Sequence, residues 1–286
     1  MSPEALALVL TAAVLHALWN LAAKGVVTDR LAFIWVYVVV SAAVWVPVAV
    51  VWVVVADERP DWVWLGAAAV TAVLHIGYQL ALQRGYAEGD LNLVYPLARG
   101  TGPLLTLVVA VAVLGERPGV VAGCGVLLVV AGVLIISIAP GRRHRPVGAG
   151  VRWGLATGAA IAAYTLWDSH AVTALDVPPV PYFVLGLMLQ IPALTLMLGR
   201  RIRAVPGVWR DARIPVLAVA LLSPLAYILV LEAMRSTPVS LVAAARESSI
   251  VVGALLGWLV LGEARPLYRL IGAAVVAAGI AAIVLG

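Results

Sequence analysis

Ten stretches of about twenty apolar residues, divided by short polar connections, take up nearly the whole of this sequence. They run approximately over residues 4–24, 31–55, 62–84, 90–114, 118–139, 151–171, 181–199, 213–234, 238–261 and 266–285. About twenty apolar residues is the length that carries an α-helix across the hydrocarbon core of a bilayer. Inside that core the backbone has no water to bond to, so a spanning chain must be helical or close into a barrel. Runs this long and unbroken favour the helix. The expected fold class is an all-α integral membrane protein with ten transmembrane helices, its first partner the lipid bilayer. Charged residues make up 12% of the chain, about half the share in soluble domains, so a water-soluble globule is excluded.

The chain is also written twice. Residues 90–136 and 237–283 match at one offset: Arg99 with Arg246, Gly115-Glu116 with Gly262-Glu263, Gly125 with Gly272, and Gly132 with Gly279. The duplication divides the chain into a first five-helix repeat over 1–139, a basic linker over 140–149 and a second five-helix repeat over 150–286. An odd number of spans per half sends the second copy into the membrane upside down. The expectation is an inverted repeat about an axis in the membrane plane, the architecture of secondary transporters, with a substrate site near the midplane between the halves.

Arginine and lysine set the orientation. Fourteen of them, Lys24, Arg30, Arg84, Arg142, Arg143, Arg145, Arg152, Arg200, Arg201, Arg203, Arg210, Arg213, Arg265 and Arg269, fall on one side of the ten-span arrangement. Three, Arg59, Arg117 and Arg235, fall on the other. The positive-inside rule puts the richer side in the cytoplasm and both termini outside. The +5 net charge is thus a record of topology, and nucleic-acid binding is not expected. Met1-Ser2-Pro3-Glu4 has no basic start, so Ala5–Leu18 belongs to the first span rather than to a cleaved signal. The expected location is the cell inner (plasma) membrane. Cys124 is the one cysteine, which excludes a disulfide framework.

Polar groups within a bilayer are costly, so each marks a candidate site. His16, Trp19 and Asn20 in span one, and Tyr164, Trp167 and Asp168 in span six, each follow the i, i+3, i+4 spacing of one helical face. The two triplets correspond between the repeats and are expected to meet across the axis. Span three carries His75, Tyr78 and Gln79 on one face, with Tyr227 on the matching span eight. Tyr95 and Arg99 lie in span four, Arg246 and Glu247 in span nine, too deep for the arginines to reach water easily. The expected substrate-binding set is Trp19, Asn20, His75, Tyr78, Gln79, Tyr95, Arg99, Tyr164, Trp167, Asp168, Tyr227, Arg246 and Glu247. Two arginines and two carboxylates sum to zero, which suits exchange of a zwitterion such as an amino acid into internal pairs; the alternative is a structural ion-pair network. Pro96, Gly100, Gly102 and Pro103 mark span four as the helix expected to break and line a cavity. Lys24, Arg84, Glu232 and Arg235 sit near span ends, where snorkelling explains them. Glu116 and Glu263, each shortly before a span that opens on proline, are expected to cap that helix.

The pieces GDLNLVYPLARGTGPLLT, the LGERP turn, the second copy ending WLVLGEARPLYRLIGAAVVAAGI, and LWNLAAK in span one together resemble the drug/metabolite transporter superfamily, EamA type. The resemblance covers essentially the whole chain. It implies transport of a small molecule by alternating access, through a cavity lined by spans one, three, four, six, eight and nine, and names no substrate. Relatives with ten spans are often drawn with cytoplasmic termini; the charge distribution here argues the reverse.

The leading expectation is a secondary active exporter of a small polar or amphipathic metabolite, amino-acid-like or drug-like. A flippase for a lipid-linked head group is the alternative. The sequence offers no Gly-x-Ser-x-Gly, His-Glu-x-x-His or phosphate-binding loop, so it indicates no enzyme, no catalytic or metal residues and no cofactor. Adjacent Asp168, Ser169 and His170 point apart on a helix and do not make a triad. Protons as a coupling ion and a homodimer are left open as further partners.

Overall fold

The computed structural model describes residues 1–23, 26, 28–137, 147–261 and 267–286. Lys24, the Arg142–Arg145 stretch, Gly262-Glu263 and Arg265 lie outside the described residues. Helix is the only regular secondary structure among the described residues. In chain order the α-helices are α1 (Pro3–Ala23), α2 (Arg30–Val55), α3 (Trp62–Glu88), α4 (Leu91–Ala112), α5 (Val120–Ser137), α6 (Val147–Thr173), α7 (Pro179–Leu198), α8 (Val205–Met234), α9 (Val239–Ala245), α10 (Ser248–Leu261) and α11 (Leu267–Leu285). Six described segments are long and apolar enough to cross a membrane: Pro3–Ala23, Arg30–Val55, Trp62–Glu88, Leu93–Ala112, Pro179–Met234 and Val239–Leu256. Val120–Ile136 and Leu270–Leu285 are shorter apolar helices.

Local chemistry starts and stops these helices. Asp29 caps α2 by accepting the Ala32 N–H at 3.0 Å, and Asp61 caps α3 by accepting from Val63 and Trp64. Gly115, at φ 71°, turns the chain after α4 in a conformation that an L side chain resists. The 200–213 connection is itself helical. A 3-10 turn over Gly199–Ala204 leads into α8, whose single non-helical residue, Ala212, separates the basic Arg210 region from the apolar span.

The surface is apolar and the interior is small. Val51, Val54, Val73 and Leu196 are 61%, 72%, 68% and 84% exposed, a surface that would associate in water and that lipid satisfies. Inside, α1 buries Ala5, Ala12, Ala13 and Ala17, and α6 meets α4 through a glycine ridge. A Cβ on Gly150, Gly154 or Gly158 would lie 2.8, 2.7 or 2.6 Å from Leu93, Leu97 or Thr101. Small residues spaced by four let helix backbones approach closely where no hydrophobic effect drives them together.

The helix pairings exchange under the repeat. α1 packs on α8 as α6 packs on α3; α2 packs on α8 as α7 packs on α3; α4 packs on α6 as α10 packs on α1. α2 pairs with α7, and α5 with α11. In the last pair a Cβ on Gly125 would lie 2.6 Å from the Gly279 carbonyl, and one on Gly132 would lie 2.8 Å from that of Gly272. The lower-numbered glycine of each helix meets the higher-numbered glycine of the other, so α5 and α11 run antiparallel with backbones touching.

Candidate functional site

Span four, expected to break, holds, and span nine breaks. α4 runs unbroken through Pro96 and Pro103. A proline removes one backbone donor but has a helix-compatible φ. Gly102 and Gly100 are there for space: a Cβ would meet Ile161 of α6 at 2.8 Å and Leu134 of α5 at 3.0 Å. The ninth span instead divides at Arg246-Glu247 into α9 and α10. Its backbone tightens there, with Glu247 N–H bonded to the Ala244 carbonyl, Ser249 to Arg246, and Ile250 to Glu247, all three residues back. Four successive polar residues, Arg246 to Ser249, occupy the break and are buried. Serines compete for backbone bonds and weaken helix regularity.

Arg99 of α4 reaches this break. Its Nε lies 2.9 Å from Glu247 Oε2, and its Nη2 donates to Ser249 Oγ at 3.1 Å. The Nε contact is an ion pair out of line for a hydrogen bond, since neither atom has a hydrogen-bonded partner. Glu247 is 1% exposed. A lone carboxylate buried this deeply would be costly, and the guanidinium offsets that cost. Arg246 is 6% exposed. Among the described residues it forms no salt bridge, and its Nε has no hydrogen-bond partner.

Asp168 of α6 is fully buried and answers to hydroxyls rather than to arginine. Oδ1 accepts from Thr71 Oγ1 of α3 at 2.5 Å and from the Tyr182 hydroxyl of α7 at 2.6 Å. Oδ2 accepts from the Tyr227 hydroxyl of α8 at 2.5 Å. Four helices from both repeats thus meet on one carboxylate. The four buried charges do not form two ion pairs: one pair, one hydroxyl-held carboxylate and one arginine unpaired among the described residues result.

An aromatic wall joins the two polar centres. Tyr164 stacks on His75 at 4.4 Å and meets Tyr78 edge-on at 5.5 Å and Tyr227 at 6.2 Å. Tyr78, Tyr164 and Tyr227 pack with Ala98, the neighbour of Arg99. His75 Nδ1 lies 3.0 Å from Thr71 Oγ1 and so adjoins the Asp168 network. His16 of α1 lies within electrostatic range of Arg99 and Arg246 and meets Trp19 edge-on at 4.9 Å. Asn20 and Tyr95 are exposed, and the Asn20 amide donates to the His16 carbonyl at 2.7 Å. Trp167 points elsewhere, donating to the Ala67 carbonyl at 3.0 Å. Gln79 donates to Gln190 of α7 at a long 3.4 Å. The span-six triplet is therefore split. Tyr164 and Asp168 join the centre, whereas Trp167 ties α6 to α3.

Thr71, Tyr182, Gln190 and Ser249 were not in the expected set. Thr71 was findable, standing four residues before His75 on the same face. Tyr182 gave no such signal, lying near the start of an apolar span.

Glu116 is structural but caps a different helix. Its Oε1 accepts the Val239 N–H at 2.6 Å, and its Oε2 accepts the Ser240 hydroxyl at 2.5 Å. It thus caps α9 in the other repeat, where a carboxylate meets free N–H groups and the positive end of the dipole. A groove of about 440 Å³ between α2 and α7, lined by Ala42, Ala43, Val46, Pro47, Met188, Ile191 and Pro192, is wholly apolar and separate from the charges.

The model of the EamA-like transporter family matches residues 4–138 and again 148–285. Comparison with curated proteins returns no match. Among solved structures 29 chains match. One, described only as the crystal structure of a protein, superposes with a TM-score of 0.77 at 21% identity, covering 100% of this chain and 98% of that one. At that identity the likeness speaks for the fold alone.

Proposed function

The chain belongs to the EamA-like transporter family, and on that premise we propose a secondary active transporter that exports a small polar or amphipathic molecule by alternating access, without enzymatic chemistry. It would lie in the cell membrane as two inverted five-helix repeats in ten spans. The antiparallel α5–α11 pair supports the inversion. Side-chain contacts between span ends and connections support the span count. Glu88 with Arg152, and Arg201 with Asp29, join ends on the basic side of that arrangement; Glu116 with Ser240, and Arg235 with Asp176, join ends on the other. The basic side would face the cytoplasm and both termini would face out.

The observation that carries the reading is the Arg99–Glu247 pair beside Arg246, which has no ion pair among the described residues, at a helix break between the repeats. Charges are tolerated at such depth where they pair or meet a polar ligand, and broken helices at repeat interfaces are where transporters place substrates. Asn20, Tyr78, Tyr95, Tyr164 and Tyr227 would complete the site with Asp168 behind them. The apolar groove at α2 and α7 has no polar end, so nothing specific favours the flippase alternative. Purified protein in proteoliposomes and overproducing inside-out vesicles would be assayed with a labelled metabolite panel under imposed pH and sodium gradients. Saturable, gradient-driven accumulation in inside-out vesicles is expected. A panel that moves no faster than in protein-free vesicles overturns the reading.

A further inference from the structure

Symmetry explains why Arg246 has no ion pair among the described residues. Arg99 of the first repeat is received by Glu247 and Ser249 of the second. Exchange the repeats, and Arg246 should be received by residues 100 and 102. Those are Gly100 and Gly102, which have no side chain to offer. The cluster of Arg99, Arg246 and Glu247 carries two positive charges and one negative. One carboxylate, Glu247, serves both guanidinium groups, paired with Arg99 and within electrostatic range of Arg246, while Asp168 is taken up by three hydroxyls. A zwitterion would find a partner for its carboxylate and none for its ammonium.

From this asymmetry the structure assigns Arg246 as the seat of an anionic substrate group, and the substrate class as an organic monoanion: a carboxylate on an aromatic or apolar body. The assignment deepens the transport reading and rests on it for the direction of movement, but the binding site stands on geometry alone. Burial of a guanidinium without a counter-charge is unfavourable. An incoming carboxylate offsets it, and the planar fork can hold both oxygens. Tyr164 and Tyr227 lie within electrostatic range of Arg246 and, with Tyr78 and His75, form an aromatic wall for the body of the molecule. The shared chemistry, two anionic oxygens, also occurs on lipid head groups. The assignment is to a soluble carboxylate, because the groove at α2 and α7 is lined by apolar side chains and offers a head group no polar seat.

The test uses the full chain in phosphatidylcholine nanodiscs, with tryptophan fluorescence and thermal unfolding as binding readouts. Three probes share one body: 3-phenylpropionate, phenylalanine and phenethylamine. The carboxylate is expected to bind, with the zwitterion and the amine at least tenfold weaker. Arg246→Gln should weaken the carboxylate about tenfold or more, and Arg246→Lys should recover part of the loss. Size exclusion and unliganded unfolding establish that both variants are folded. Should Arg246→Gln fail to fold, Arg246→Lys alone decides, by a weakened carboxylate with the amine unchanged. Equal binding of amine and carboxylate, no carboxylate binding in the millimolar range, or unchanged affinity in the variants overturns the assignment. Loss of the carboxylate response on adding phosphatidylglycerol also overturns it, in favour of a head group. Binding that behaves as expected, with no movement in proteoliposomes, sinks the transport reading and leaves the site standing.

Discussion

Arg99 and Glu247 meet at 2.9 Å across the two repeats, and Arg246, next to Glu247 in sequence, stands without an ion pair among the described residues. One buried carboxylate therefore lies among two guanidinium groups, Arg246 buried and Arg99 partly exposed. Glu247→Gln would leave both cations uncompensated. Breaking a buried pair from one side costs about 3–5 kcal/mol, so a large fall in unfolding temperature in detergent is expected. Arg99→Met combined with Glu247→Met removes the pair from both sides and should recover most of that loss. A double variant as unstable as Glu247→Gln would show that the pair is not what holds the break.

The α5–α11 seam makes a second prediction. A Cβ on Gly132 would lie 2.8 Å from the Gly272 carbonyl and 2.7 Å from Val276. Backbone cannot move aside cheaply, so Gly132→Val should cost at least the 1–3 kcal/mol or so typical of overpacking. A Cβ on Gly123 would instead enter open space, with no described atom within 4 Å. Gly123→Ala should be neutral or stabilising by up to about 1 kcal/mol. Equal effects from the two, measured by thermal unfolding, would mean that the seam is not close-packed.

These glycines also mark how far the sequence could be read. The offset that matches Gly125 with Gly272 and Gly132 with Gly279 exposed the duplication. It could not say that Gly125 would touch Gly279, which follows only once the copies pack antiparallel. The all-helical membrane class and the polar residues within apolar helices were legible because hydrocarbon penalises both short helices and lone polar groups. Which charge would meet which partner was not. Helices apolar on every side have no solvent face to orient them, so nothing in the periodicity of α7 aims Tyr182 at Asp168. Prolines drew attention to α4, whereas the break came at Arg246-Glu247, where tertiary bonds to Arg99 decide the local fold.

Glu116 provides the third prediction. Its carboxylate holds the first turn of α9 through the Val239 N–H and the Ser240 hydroxyl. Glu116→Ala should lower stability by about 0.5–2 kcal/mol, as loss of a helix cap does. Hydrogen exchange should speed up at Val239 and Ser240, with little change at the start of α5. Faster exchange confined to α5 would contradict the cap across the repeats.

Topology is tested at the C-terminus. Fourteen basic residues against three are the ground on which the termini are proposed to lie outside. A reporter active only outside the cytoplasm, fused after Gly286, should be active. A cytoplasm-only reporter in the same place should be silent. The reverse pattern would overturn the orientation while leaving the repeat packing untouched.

Asp168 carries the last prediction. Among the described residues its two oxygens receive three hydroxyl donors, from Thr71, Tyr182 and Tyr227, and no arginine. Hydroxyl donors converging on one carboxylate are what an ionised acid accepts, and a hydrogen bond to a charged group contributes about 1.5–3 kcal/mol against about 0.5–1.5 for a neutral one. Tyr182→Phe should therefore cost about 1.5–3 kcal/mol in the wild-type background. Asp168→Asn keeps the shape, retains an acceptor for Thr71 and Tyr182, and turns a donor toward Tyr227. In that background Tyr182→Phe should cost only about 0.5–1.5 kcal/mol. The difference, about 1 kcal/mol of coupling, is readable in a double-mutant cycle because it exceeds the 0.3–0.5 kcal/mol or so within which independent sites add. Asp168→Leu is the harsher change, since it leaves three buried hydroxyls without an acceptor, and it should be the least stable of the set. An additive cycle would mean that the Tyr182 hydroxyl is not held by the carboxylate, and that Asp168 is not what joins α6 to α7.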